Sequence, residues 1–273
     1  MTPFLNSLQF SLQGSGFRND SEGCNIAAPE NHIVLDGVNE YLSRQSAAIW
    51  DFSGYTNAIT VGAWVQTSHT TGALALASRW WSAGDNRCWY WQCPSDSGSG
   101  VNHRVWLDSD GTGINLNYRA TSTAVNDGSW HLIGWTFQGN GSGVAGDLKL
   151  WTDANEEALQ KDTDTLCDQV YHESGSGPYI GRLTGGTSYF NGSIYGFFVA
   201  NGYAFTQADW TAAYNSGTAN NYQCLSAYSN IDHLLTFSEV GDDATSAVQD
   251  AIGSADFNCF NMEAGDITAG VPS

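Results

Sequence analysis

The chain has 273 residues, of which 28 are Asp or Glu and only 9 are Lys or Arg, a formal net charge of −19. That balance excludes the basic footprint needed for nucleic-acid phosphates or an anionic membrane surface. With 31 Gly against 5 Pro and 13% aromatics, the composition predicts many short strands joined by polar turns around a full core.

Residues 1–30 read as a polar lead, either an arm reaching a neighbour or an edge strand. Met1-Thr2-Pro3-Phe4 has neither a basic region nor an apolar stretch behind it, so no signal peptide is expected. No apolar run reaches membrane-spanning length. The main domain is expected over 31–222, with a C-terminal extension over 223–273 packed on it or beyond it.

Ile33-Val34-Leu35, the turn Asp36-Gly37 and Tyr41-Leu42 carry the hairpin signal of Asp-Gly between apolar runs. The stretch 58–66 follows as a strand apolar on both faces. Strand 74–79 leads into the segment 80–103, which holds Trp80, Trp81, Trp89, Trp91, Cys88 and Cys93. Trp89 and Trp91 share one strand face and read as packing residues. Strands 104–107 and 114–118 form a hairpin around Asp108-Ser109-Asp110-Gly111-Thr112-Gly113.

The central stretch is 127–137. Trp130 and Leu132 point to one face; Ile133, Trp135 and Phe137 point to the other. Such a strand must be covered on both sides. With 59–65 and 193–199, each bearing a Gly where a neighbouring ring needs room, it should form the inner wall of a sandwich. Strand 148–151 and an acidic connection over 153–168 follow, then strands at 179–181 and 189–200. Thr206 fits the N-cap of a helix over 207–215, with Gly217 past its end and Trp210, Ala213 and Tyr214 on its apolar face. Beyond it lie a strand at 234–237, a helical turn over 244–252 and a strand at 256–261.

Cys24, Cys88, Cys93, Cys167, Cys224 and Cys259 include no CxxC pair and no Cys/His cluster of zinc spacing. A Cys88–Cys93 bridge, three disulfides and buried free thiols all stay open.

The order of these pieces resembles the laminin-G-like, concanavalin A-like lectin/glucanase modules over about 32–217. The pieces are Leu35-Asp36-Gly37, Ile59-Thr60-Val61-Gly62-Ala63-Trp64-Val65, Asp127-Gly128-Ser129-Trp130-His131, Leu148-Lys149-Leu150-Trp151 with Asp153, Ile180-Gly181, and Phe190-Asn191-Gly192-Ser193-Ile194. Leu35 replaces the family's Phe, and Trp151-Thr152-Asp153-Ala154 replaces Tyr-x-Asp-Gly. The resemblance implies an all-β, two-sheet antiparallel jelly-roll sandwich with one short helix near 206–216, used for glycan or protein binding. The acidic, leaderless form also looks similar to laminin-G-like proteins of phage particles, particularly marine ones.

Glycoside hydrolysis needs two carboxylates held about 5–9 Å apart. No E-x-D-x-E run occurs; Asp108 and Asp110 have the spacing but sit among turn glycines. No nucleophile elbow, P-loop or metalloprotease motif appears, so the chain reads as no enzyme. His131, beside Trp130, reads as a structural partner. Calcium is the one cofactor the pattern admits, with Asp108, Asp110 and Asp153 as its ligands. A glycan would stack on exposed rings and be oriented by polar neighbours; Trp80, Trp81 and Tyr90 with Arg79, Asp85, Asn86 and Arg87 supply that set.

The leading expectation is a structural or recognition component of a virion (capsid decoration, fibre or tail-associated). Other virion proteins or further copies of itself would be its partners, with a cell-surface glycan as a further contact. The alternatives are a calcium-dependent lectin or adhesin and, behind it, a glycan-degrading enzyme.

Overall fold

The computed structural model describes residues 31–44, 50, 52, 58–70, 72–81, 86–94, 102–109, 114–139, 147–167, 169–171, 177–183, 186–219, 222–237, 247–253, 256–263, 265–270 and 272. For Trp81, Asn86, Arg87, Cys224 and Ala247 the description is of the backbone. The arm expected over 1–30 lies outside these residues.

In chain order the strands are β1 (Asn31–Asp36), β2 (Tyr41–Ser43), β3 (Ala58–Gln66), β4 (Ala75–Trp81), β5 (Asn86–Gln92), β6 (Arg104–Leu107), β7 (Leu116–Ala120) and β8 (Trp130–Gln138). They continue with β9 (Asp147–Thr152), β10 (Asn155–Glu156), β11 (Leu159–Asp164), β12 (Tyr179–Ile180) and β13 (Asn191–Asn201). After helix α1 (Gln207–Tyr214) come β14 (His233–Leu235), β15 (Ala247–Val248), β16 (Phe257–Phe260) and β17 (Ile267–Ala269). The first sheet has the order β10-β9-β8-β3-β13-β1-β17, with β14 also on β13; the second runs β11-β7-β6-β5-β4-β12-β2-β16-β15. The described ladders are antiparallel.

β8, β3 and β13 are neighbours at the centre of the first sheet, as their two-faced apolar sequences require. Ile59, Val61, Ala63, Ile133, Trp135 and Phe137 point between the sheets, where Trp89, Trp91, Val105 and Leu107 meet them. The opposite face, with Trp64, Leu132 and Phe198, carries a second core closed by α1 and the segment after it through Phe205, Trp210, Ala213, Tyr222 and Leu225. Gly62 and Gly134 lie opposite each other. A Cβ on Gly134 would come within 2.0 Å of the Trp210 ring, and one on Gly62 within 2.3 Å of the Phe198 ring. The paired glycines therefore leave the slot that two rings fill.

The helix forms where its signals place it. Thr206 caps α1 and Asp209 closes the capping box by accepting from the Thr206 N–H at 2.8 Å. Asn215, at φ 45°, ends it. Trp210 and Ala213 are buried, and Tyr214 stacks on Trp64 at 5.6 Å.

Three expectations need correction. β1 and β2 are not a hairpin: β1 pairs with β13 and β17, and β2 pairs with β12 and β16, in the other sheet. Asp-Gly supplies the reversal, with Gly37 at φ 77°, but strand partners are chosen by what lies alongside. The Asn191 side chain donates to Asp36 O at 2.7 Å, which fixes β1 on β13. The connection over 153–168 contains β10 and β11: Asp153 and Ala154, both at positive φ, reverse the chain tightly. β11 then forms a polar outer strand on β7, legible to no apolar alternation. Where a helical turn was expected over 244–252, the described part begins with β15, and Asp250 bridges to Leu235. Of the cysteine alternatives left open, Cys88, Cys93, Cys167 and Cys259 are buried thiols outside any disulfide. Segment 223–273 adds strands to both sheets through β14, β16 and β17.

Candidate functional site

Alternation along the second sheet sends Trp89, Trp91, Val105, Leu107, Leu116, Tyr118 and Ala120 inward. The residues between them face away from the core, and strand register aligns them in two rows. One row runs Tyr179, Ser78, Tyr90, Trp106, Asn117. The other runs Gln92, Arg104, Arg119, Gln160.

The first row is built on rings. Tyr90 and Trp106 stack at 4.7 Å and 8°, and Trp80 leans on Tyr90 at 6.4 Å. Leu183 packs against this group. The second row is polar. The Arg104 guanidinium lies 4.5 Å over the Trp106 ring; its Nε donates to Asn117 Oδ1 at 2.6 Å and its Nη2 meets Asp162 Oδ2 at 2.7 Å. Gln92 Nε2 donates to the Tyr90 hydroxyl at 2.9 Å. Gln92 Oε1 and Arg119 Nη1 are buried and have no hydrogen-bond partner. Further along the sheet, Arg182 sits over Tyr41, Tyr179 and Tyr189 at 4.6, 5.8 and 5.5 Å.

Of the ligand set read from the sequence, Trp80 and Tyr90 come together on this face, each on a strand rather than in a loop and each only 7% exposed. Arg79 turns the other way: it pairs across the ladder with Trp89 and is fully buried. The side chains of Trp81, Asn86 and Arg87, and Asp85 altogether, lie outside the described residues. Sequence reasoning missed Trp106, Arg104, Gln92, Asn117 and Arg119. The available signal was parity: residues 104 and 106 share a face opposite 117 and 119 in a hairpin whose strands were already legible.

Two residues of the calcium set, Asp108 and Asp153, are described. Asp108 is fully buried at the end of β6. The Asp153 oxygens are taken by His131 Nδ1 at 2.7 Å and by the Leu132 N–H at 3.0 Å. Asp110 lies outside the described residues. Among the described residues no group of three or more His, Cys, Asp or Glu is placed to hold a metal ion.

His131 also meets Asp127 at 3.1 Å. Burial opposes its charge, but the Asp153 and Asp127 carboxylates outweigh that and hold its pKa above the usual histidine value. His103 is a structural bridge: it accepts from the Trp91 indole at 3.1 Å and meets Thr152 Oγ1 at 3.3 Å, so β5 and β9 are tied across the core. Burial pushes its pKa down to about 4, which keeps it neutral. A separate cleft of about 260 Å³ lies beside Thr136, Lys149, Trp151 and Gln207 on the first sheet; Lys149 there is paired with Glu156 at 3.1 Å.

Two antiparallel sheets packed face to face, with this strand order, define a jelly-roll sandwich of the concanavalin A-like class. No protein-family model matches the chain, and no curated protein does. Among solved structures it is similar to a "putative carbohydrate binding protein" from Bacteroides ovatus, with TM-score 0.61 and 16% identity over 90% of this chain and 62% of that one. The chain thus spans less than two thirds of that protein's length. Further similar structures are the heptameric SAP-like pentraxin of Limulus polyphemus (TM-score 0.48, 13% identity, 69% of this chain and 83% of that one) and the IT-sialidase CBM40 of Ruminococcus gnavus (0.46, 10%, 68% and 99%). At 16% identity what the chain shares with the Bacteroides ovatus protein is the fold.

Proposed function

We propose that this chain is a non-enzymatic carbohydrate-binding protein whose ligand lies along the outer face of the second sheet. The observation that carries the reading is the pairing of a ring row with a polar row that holds unsatisfied buried atoms. Sugar C–H faces stack on aromatic rings while hydroxyls are oriented by side-chain amides and guanidinium groups. Gln92 Oε1 could accept from a hydroxyl and Arg119 Nη1 could donate to one. A buried polar atom without a partner costs about 1–3 kcal/mol, which a bound saccharide would recover in part.

The Bacteroides ovatus protein's description as carbohydrate binding supports the same reading. That description favours it over the virion role that the sequence put first. Among the described residues no helix is long and apolar enough to cross a membrane. The binding proposed needs no calcium: Asp153 is hydrogen-bonded to His131, and Asp108 is buried at the end of β6. The test is a glycan array followed by titration calorimetry, with and without chelator. Saccharide binding that survives chelation and is lost in Trp106→Ala supports the reading; no binding to any saccharide class ends it.

A further inference from the structure

Arg104 and Arg119 are direct cross-strand neighbours on β6 and β7, and both face outward in the polar row. Residues opposite each other on one sheet face have Cβ atoms about 4.5–5.5 Å apart, and like charges there repel. Among the described residues the row offers one carboxylate, Asp162, and that carboxylate is bound by Arg104 at 2.7 Å and by the Gln160 amide at 2.8 Å. The flanking residues, Gln92 and Gln160, are neutral. Arg119 is 7% exposed, makes no ion pair among the described residues, and keeps Nη1 buried without a partner. A guanidinium held this way, with its charge uncompensated and water largely excluded, is destabilising unless an anion completes it.

We propose that the second sheet's outer face takes an anionic saccharide, whose carboxylate or sulfate seats on Arg119 beside Arg104 while its ring lies along Tyr90 and Trp106. The inference rests on the carbohydrate-binding reading and adds the ligand's charge. The guanidinium fork matches a two-oxygen anion, and the stacked rings alongside favour a charged sugar over a free anion. Selection has to be local. The chain carries a net charge of −19 with only 9 Lys and Arg, so its long-range field repels anions, and at physiological salt that field decays over about 8 Å. Arg104, Arg119 and Arg182 place three of those nine cations on this one face.

The experiment is calorimetry of the full chain against three oligosaccharides of equal length: neutral, uronate-bearing and sulfated. An anionic ligand should bind about tenfold or more tighter than the neutral one, as expected for a hydrogen bond to a charged group. Whichever anionic arm binds tighter identifies the group as carboxylate or sulfate. Arg119→Gln should erase the preference, costing the anionic ligand about tenfold or more beyond whatever it costs the neutral one. Arg119→Lys, which keeps the charge but loses the fork, should fall between them and stands in if the Gln variant melts early. Equal affinity for neutral and anionic ligands overturns this inference and leaves carbohydrate binding standing. Absence of binding to all three overturns both.

Discussion

The two outer faces of the sandwich use tryptophan in opposite ways. On the first sheet Trp64, Leu132 and Phe198 are closed under α1 and the segment that follows it, and Trp210 and Phe198 fill the slot left by Gly134 and Gly62. On the second sheet Trp80, Tyr90 and Trp106 sit among arginines and amides, and no described helix packs over them. A third layer turns one face into core. Both faces keep buried polar atoms without partners, but on the first they are the indole and phenol groups of Trp64, Trp210, Tyr195 and Tyr222, and on the second they include the Arg119 guanidinium and the Gln92 amide. An unpaired buried charge costs more than an unpaired neutral group, so the second face has the greater use for a ligand.

The sharpest way to break this contrast is to exchange the roles of the rings. Trp210→Ala should lose about 3–5 kcal/mol of stability, as a ring deletion in a packed core does, read by urea unfolding. Trp106→Ala should lose less stability but weaken saccharide binding about tenfold or more, read by calorimetry. If Trp106→Ala proves the more destabilising of the two, the second face is core as well and the contrast fails.

The corner between the sheets gives a smaller effect with a definite sign. Glu40 accepts from the Asp36 N–H at 2.6 Å, yet burial, with the Asp266, Asp36 and Glu263 carboxylates nearby, raises its pKa to about 7 from 4.5. The folded chain therefore holds a proton that the unfolded chain releases between those values, and stability falls as pH rises through that window. Glu40→Gln keeps the acceptor without the charge. It should stabilise by about 1–3 kcal/mol above pH 7 and change nothing below pH 4.5, in melts across pH.

The smallest effect lies beside the helix-covered face. The His131 pKa is raised, so its ion pairs with Asp153 and Asp127 contribute fully below 6.5 and fade as pH rises through the higher folded value. His131→Gln should cost about 0.5–1 kcal/mol at pH 6 and less at pH 9, because one partner, Asp127, is half exposed. An equal loss at both values would mean that hydrogen bonding alone is at work.

Periodicity and caps were enough for the centre of the first sheet. Two-sided apolar strands have nowhere else to go, and Thr206 with Asp209 starts a helix by contacts three residues apart. Local signals failed where partners are distant. The reversal at Asp36-Gly37 was legible, but Asn191, far along the chain, decides that β1 and β2 part company. β11 is written in polar residues because an outer strand needs no apolar face, so alternation could not announce it. The binding face divides the same way. Trp80 and Tyr90 were visible as aromatic residues in an unusual segment, whereas Trp106, Arg104 and Arg119 gain their meaning only from the register of three strands. Sequence by itself determined the all-β class, the buried tryptophans of the central strands and helix α1, because burial and capping act over short distances. Tertiary structure alone decided which face is sealed and which arginine is left uncompensated, because both depend on neighbours the chain meets only after folding.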